Sequence, residues 1–151
     1  MPTQSTKRGR SAQGDGRAAR RPTRDDGAAL IQLAHLHAQL QVSAGLDVLW
    51  REDFPTDPYT IDAWYALGTD GRRGLEAVLL WFQTMGTLVK HGLLHAELCE
   101  DWARADLVWA RIGPMAMSER IRTGDETLWA NFEHLALSQA RPEYIDLEPG
   151  D

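Results

Sequence analysis

The sequence predicts an all-α protein, a compact bundle of five to seven helices with a disordered basic N-terminal tail. Three observations lead to this fold class. After Gly27, large apolar side chains recur at spacings of three and four residues, as they do on one face of a helix. No stretch alternates apolar and polar residues over the length of a strand. A chain of 151 residues that is 43% apolar and 25% charged suits one globular domain with a buried core.

Charge and composition divide the chain into three parts. Residues 1–24 carry seven basic side chains and one acid, and they contain no Leu, Ile, Val or aromatic residue. They bury too little apolar surface to offset the entropy cost of ordering. We therefore predict a disordered basic tail over residues 1–26 and a single helical-bundle domain over residues 27–140. Residues 141–151 are predicted to form an acidic C-terminal extension, and the formal net charge of the chain is −6.

The first half of the domain is predicted to contain three helices. The carboxylates of Asp25 and Asp26 suit the start of the first one, because acids are favourable at the positive end of a helix. Pro58 suits the first position of the third, where its missing N–H costs nothing. The three predicted helices span residues 27–42, residues 44–52 and the segment from Pro58 to Gly68.

The second half of the domain is predicted to begin with the central helix of the bundle, over residues 72–91. This segment is apolar around most of its circumference, which is typical of a helix surrounded by other helices. An apolar stripe then predicts one helix over residues 95–112, which Gly113-Pro114 is expected to end. A short helix from Met115 to about Arg122 and a last helix that ends before Arg141-Pro142 complete the bundle.

The block from Leu75 to Leu137 contains an ordered series of short motifs. An apolar and aromatic helix ends in Gly-x-Leu-Val, two basic residues and Gly-Leu-Leu, and a Trp-bearing helix, a proline, an arginine and Asn-Phe-Glu follow. The residues that carry the series are Trp81-Phe82, Gly86-Thr87-Leu88-Val89-Lys90-His91-Gly92-Leu93-Leu94, Glu97-Leu98, Trp109, Pro114, Arg120 and Asn131-Phe132-Glu133.

This series resembles an uncharacterised family of bacterial helical proteins, a domain of unknown function. The sequence departs from the family pattern at Gln83-Thr84 and at His95, where acids are usual, and at His91, which replaces a second arginine. The resemblance implies a helical fold. It implies no activity, cofactor or site residue.

Metal binding is one alternative that the residues raise. His91, His95 and Cys99 are spaced i, i+4 and i+8, which would stack three zinc-binding side chains on one face of a continuous helix. Gly92-Leu93-Leu94 resembles a junction between two helices, however, and no fourth ligand is evident. The competing interpretation places His91 at a helix C-terminus, His95 at a helix cap and Cys99 in the core as a small apolar side chain.

No catalytic arrangement is recognisable in the sequence. Glu97, Glu100 and Asp101 cluster at one predicted helix start, where the helix dipole explains them, and the Glu-x-x-His motif of di-iron bundles is absent. Gly68-Thr69-Asp70-Gly71 lacks the lysine and the preceding strand of a phosphate-binding loop. We therefore predict no catalytic residue, no cofactor and no enzymatic activity.

The central helix suggests an interaction surface instead. Leu80, Trp81 and Leu88 lie beside its main apolar stripe, where they face either neighbouring helices or a protein partner. The chain has six tryptophans, most of which we expect in the core. We predict a non-enzymatic protein-interaction module of adaptor, regulatory or structural type, with a homodimer as its simplest form. The acidic body is expected to favour basic partners.

The arginine-rich tail suggests a second function, that of a nucleic-acid-associated factor. Arginines in a tail contact phosphates through salt-dependent ion pairs, and they also bind anionic membrane surfaces. The candidate anion contacts are Arg8, Arg10, Arg17, Arg20, Arg21 and Arg24. Because no uncharged apolar run approaches the roughly 18 residues of a membrane span, we expect a cytoplasmic protein.

Overall fold

The computed structural model describes residues 20–140 of the chain. These residues contain seven helices and no strand, which confirms the all-α prediction. No helix in this part of the chain combines the length and apolarity needed to cross a bilayer. The helices are α1 (Arg24–Gln39), α2 (Val42–Leu49), α3 (Pro58–Trp64), α4 (Asp70–Lys90), α5 (Ala96–Trp102), α6 (Ala105–Thr123) and α7 (Ala130–Gln139).

The central element of the bundle is α4, as its apolar circumference predicts. Val78, Phe82 and Met85 of this helix are almost completely buried. The ring of Phe82 stacks on that of Phe132 in α7, with centroids 4.7 Å apart. Since each large apolar side chain contributes roughly 1.5–3 kcal/mol on burial, the core around α4 is a main source of stability.

Two close backbone approaches hold α2 and α7 against α4. A Cβ built on Gly45 of α2 would lie 2.0 Å from the carbonyl oxygen of Gly74 in α4. A Cβ built on Gly86 of α4 would lie 2.2 Å from the carbonyl oxygen of Asn131 in α7. Glycine is the residue that leaves room for these backbones, so Gly45 and Gly86 determine how closely the helices pack.

The domain begins earlier than the sequence predicts. Thr23 caps α1 through a capping box, in which the Thr23 hydroxyl accepts from the Asp26 N–H and the Asp26 carboxylate accepts from the Thr23 N–H. Arg20 donates two hydrogen bonds to the same carboxylate, at 2.6 and 2.7 Å, and holds the pKa of Asp26 well below its ordinary value. The boundary predicted after residue 26 is therefore wrong, because polar contacts order this segment. Residues 1–19 and 141–151 lie outside the described residues.

The helix predicted over residues 95–112 is two helices. α5 ends at Trp102 and α6 starts at Ala105, with Ala103 in an extended conformation between them (φ −142°). The side chain of Gln139 in α7 accepts a hydrogen bond from the Ala105 N–H at 2.7 Å. This contact satisfies a backbone N–H at the start of α6 that has no partner within the helix. It comes from a residue 34 positions away along the chain, and the local sequence contains no signal for a break here.

Proline does not interrupt α6, contrary to the break predicted at Gly113-Pro114. Pro114 lies inside the helix, and no separate helix starts at Met115. A proline in a helix interior removes a backbone hydrogen bond and costs about 3 kcal/mol. Ile112, Met115 and Ala116 are fully buried on either side of Pro114, and this burial offsets the cost.

A buried ion cluster joins α3, α4 and α6. Arg72 of α4 is almost inaccessible, and its guanidinium donates to Asp62 of α3 at 2.8 Å and to Glu119 of α6 at 3.0 Å. Its Nε atom lies 3.5 Å from the Glu76 carboxylate. Glu119 is also buried and accepts a hydrogen bond from the indole N–H of Trp129 at 2.7 Å. One arginine therefore compensates carboxylates from three helices.

Candidate functional site

An open groove lies between α1 and α2 on one side and the α5–α6 segment on the other. Its volume is about 420 Å³, and two buried aromatic residues of α4 form its floor. The residues that line it are Ala34, His37, Leu46, Trp50, Trp81, Phe82, Trp102, Ala103, Arg104, Leu107 and Val108. Five helices, α1, α2, α4, α5 and α6, and the link between α5 and α6 thus contribute to one site.

Trp81, in the floor of the groove, is held in place by several contacts. Its indole N–H donates to the carbonyl oxygen of Leu33 in α1 at 2.8 Å. Its ring makes edge-on contacts with those of Phe82, His37 and Trp102, at centroid distances of 4.9, 5.0 and 5.2 Å. A satisfied indole packed edge-to-face has little freedom to rotate, so the floor is preformed.

Large apolar side chains at the edges of the groove remain open to solvent. Trp102 is 40% exposed, Trp50 48% and Leu107 50%. A second concavity of about 400 Å³ between α1 and α5 shares Ala34 and Trp102 with the groove, and Leu30, Ile31, Leu98 and Asp101 complete its lining. The two concavities form one extended depression that is mostly apolar, with Asp101 in its second part. Contiguous apolar exposure of this kind marks a binding surface.

One face of α6 gives the groove a basic wall. Arg104, Leu107, Val108 and Arg111 follow one another at spacings of three, one and three residues, so they lie on the same side of the chain at the start of α6. Arg104 binds Asp106 through two hydrogen bonds of 2.9 and 2.6 Å. The wall therefore alternates apolar contact area with guanidinium groups.

Arg111 stands at the end of this wall. It donates to the carbonyl oxygens of Leu49 and Arg51, at 2.7 Å each, and its guanidinium lies over the Trp50 ring, 5.2 Å from the centroid. Carbonyl oxygens satisfy the donors without neutralising the charge. Arg111 therefore leaves positive potential beside the exposed edge of Trp50.

Two ionisable side chains line the groove, those of Arg104 and His37. Burial lowers the pKa of His37, which favours the neutral imidazole. The described lining residues include no carboxylate, hydroxyl or thiol. The groove therefore offers apolar contact, an imidazole that favours its neutral form and an arginine paired with Asp106.

The structure changes the predicted interaction surface of Leu80, Trp81 and Leu88. Trp81 is only 2% exposed, so its assignment to an outer surface is wrong: its indole and ring contacts fill the space between α1, α4 and α5. Leu80 is exposed and Leu88 is half-buried against the core. The expectation that most tryptophans are core residues is also wrong: Trp50, Trp64 and Trp102 are exposed, and Trp50 and Trp102 border the groove.

The candidate metal ligands His91, His95 and Cys99 do not share a helix face. α4 ends at Lys90, His91 is its C-cap, and Gly92 adopts the left-handed conformation (φ +69°) that turns the chain. His95 precedes α5 and Cys99 is buried within it. No set of three His, Cys, Asp or Glu side chains within the described residues has the placement of a metal site. The structure confirms the predicted junction between two helices at Gly92-Leu93-Leu94, so the continuous helix that the metal site requires does not form.

His95 serves as the N-cap of α5, as the competing interpretation predicts. Its Nδ1 accepts a hydrogen bond from the Glu97 N–H at 3.2 Å, and its Nε2 bonds to the carbonyl oxygen of Arg20. Because Nδ1 accepts, the proton of the neutral ring is on Nε2, which donates to that carbonyl. His95 therefore fastens the start of the domain to α5.

We expect Cys99 to resist alkylation in the folded protein. Burial, with a smaller contribution from the Asp26 charge, raises the pKa of the Cys99 thiol to about 12, so the reactive thiolate is nearly absent at about pH 8. Mass spectrometry after iodoacetamide treatment should show no adduct in native buffer. It should show one adduct in guanidinium, since the chain has one cysteine. Rapid labelling of the native protein would contradict this placement of Cys99.

The candidate anion-binding arginines fall into three groups. Arg8, Arg10 and Arg17 lie outside the described residues. Arg20 is engaged within the domain, where it binds Asp26 and donates to the carbonyl oxygen of Gly92 at 3.1 Å. Arg21 and Arg24 are exposed near the start of α1. Within the described residues, Arg20 therefore acts as a structural residue.

No curated protein and no solved structure matches the chain. One family model matches residues 23–138, which begins at the N-cap of α1 and ends in the last turn of α7. The matched segment contains all seven helices and the groove. The chain therefore belongs to the family described as a domain of unknown function (DUF4760).

Proposed function

We propose that this domain is a non-enzymatic protein-interaction module whose docking surface is the groove between α1, α2, α5 and α6. The observation that carries the proposal is the exposure of Trp50, Trp102 and Leu107 around a preformed aromatic floor. Tryptophan is enriched among the residues that dominate binding energy in protein interfaces, where a partner covers it and excludes water.

The shape of the site favours a segment of polypeptide over a compact small molecule. The groove is open to solvent and shares Ala34 and Trp102 with the second concavity between α1 and α5. An extended or helical segment places successive side chains along such a depression. The lining residues have no nucleophile next to His37, so we propose binding without catalysis.

The local charge of the groove determines the chemistry that we propose for the partner. The acidic body of the chain suggests basic partners, but the groove is lined by apolar residues, His37 and Arg104, and Arg111 lies beside it. Asp106 pairs with Arg104, and Asp101 lines the second concavity. Arg111, which donates to carbonyl oxygens, is therefore the cation that we propose the partner meets. A segment with aromatic or aliphatic anchors and flanking acids complements this surface. We therefore propose a partner of that kind.

Co-purification from the native host tests the proposal with two matched variants. Leu107→Glu places a carboxylate in the groove, whereas Ile121→Glu makes the same change at an 83%-exposed position near the other end of α6. We expect tagged Leu107→Glu to lose the partner that the natural chain and Ile121→Glu both retain. With the identified partner, Kd should rise about 30-fold for Leu107→Glu, equivalent to a loss of about 2 kcal/mol.

Circular dichroism and thermal unfolding of both variants show whether the fold is intact. Equal partner recovery with Leu107→Glu and Ile121→Glu would refute the groove as the docking surface. Recovery of the chain itself as the sole groove-dependent partner would identify the homodimer that the sequence suggests.

A further inference from the structure

The end of α7 lies beside the groove. Gln139, its last residue, binds the Ala105 N–H through its side chain, and Ala105 directly follows Ala103 and Arg104, which line the groove. The chain beyond Ala140 therefore starts next to the basic wall of the groove, although it is far from α1 and α2 in sequence.

The segment that follows has the composition that the groove requires. Residues 141–151 read Arg-Pro-Glu-Tyr-Ile-Asp-Leu-Glu-Pro-Gly-Asp. Three large apolar side chains, Tyr144, Ile145 and Leu147, stand among four acids. Residues 1–19 contain no Leu, Ile, Val or aromatic residue, so the N-terminal arm has no comparable anchor.

The distances allow this segment to reach the site. An extended chain advances about 3.3 Å per residue, so Tyr144, four residues beyond Ala140, reaches about 13 Å from it. Leu107 lies two residues along α6 from Ala105, a rise of about 3 Å and a turn of about 200°, so the segment passes around the start of α6 to reach it. The first apolar anchor of the segment is thus within reach of the exposed side chain at the edge of the groove.

We propose that residues 141–151 of this chain occupy its own groove and compete with the partner; the inference rests on the proposed function of that surface. Tyr144, Ile145 and Leu147 supply the anchors that pack against Trp102 and Leu107. The acids of the segment face the guanidinium groups of the basic wall. The segment is a built-in competitor that a partner of the same chemistry displaces.

Cross-linking of the full-length chain tests the placement of the segment. The Leu107→Cys/Tyr144→Cys chain places one thiol in the groove and one in the segment. The Ile121→Cys/Tyr144→Cys chain is the control, because position 121 is 14 residues and about 21 Å further along α6. With a short bismaleimide, we expect the monomer to contain a link from position 107 to position 144, and the control to lose it. Equal linkage in both chains, no linkage in either, or linkage only between two chains would overturn the proposal.

Partner recovery distinguishes this inference from the proposed function. In the full chain, Tyr144→Ser/Ile145→Ser/Leu147→Ser should increase the recovered partner severalfold, because the competitor is weakened. Unchanged recovery with this variant, together with loss of the partner in Leu107→Glu, would overturn the inference and retain the docking surface. Retention of the partner in Leu107→Glu would refute the docking surface, whatever the cross-linking shows.

Discussion

Replacement of Arg72 by methionine is expected to lower the free energy of unfolding by about 3–5 kcal/mol, the cost of breaking a buried ion pair at one partner. Methionine fills much of the arginine volume but leaves buried Glu119 with only the more distant guanidinium of Arg122, 3.9 Å away. It also removes the donor that Arg72 gives to Asp62, which fixes α3 against α4. Guanidinium unfolding followed by circular dichroism measures the loss.

Two further variants separate this effect from the loss of an arginine in general. Arg73→Met removes a neighbouring, largely exposed arginine that pairs with Asp70 at 2.9 Å, and should cost about 1 kcal/mol or less. Arg72→Met/Glu119→Gln should be more stable than Arg72→Met alone, because it removes the buried charge while the amide oxygen still accepts from Trp129. Equal losses for Arg72→Met and Arg73→Met would contradict the buried cluster.

The contrast between α4 and Arg72 shows which features a sequence makes visible. The apolar circumference of α4 is a local pattern, and it correctly predicts a central helix. Arg72 lies in the same helix, but its partner Glu119 is 47 residues away, so no local pattern distinguishes it from the exposed Arg73. The same reason explains the missed start of α6, which depends on the side chain of Gln139.

The sequence indicates that the chain is rich in tryptophan, but it does not show which tryptophans form the candidate site. Six tryptophans in 151 residues indicate unusual aromatic area, but periodicity does not separate Trp81 in the floor from the half-exposed Trp102 at the edge. That distinction depends on how α1 and α5 meet over α4. The break between α5 and α6, which the sequence did not indicate, turns the chain so that Trp102 and Leu107 border one groove.

Substitution of Gly45 by alanine is expected to lower the free energy of unfolding by about 2–3 kcal/mol. The added methyl group would lie 2.0 Å from the carbonyl oxygen of Gly74 and 2.8 Å from a methyl carbon of Val78. The carbonyl belongs to the interior of α4, so the strain is relieved only when α2 moves away from α4. That movement displaces two groove-lining residues, Leu46 of α2 and Trp50 at the C-cap of α2.

Gly27→Ala is the matched control, because it makes the same change within α1 with no atom within 4 Å of the new Cβ. Alanine favours a helix over glycine by about 1 kcal/mol, so this control should be stabilised while Gly45→Ala is destabilised. Urea unfolding measures both changes, and tryptophan fluorescence in native buffer reports changes around the six tryptophans, which include Trp50. Stabilisation of both variants to the same extent would show that α2 and α4 do not approach as closely as Gly45 and Gly74 indicate. The groove would then not depend on that approach for its shape.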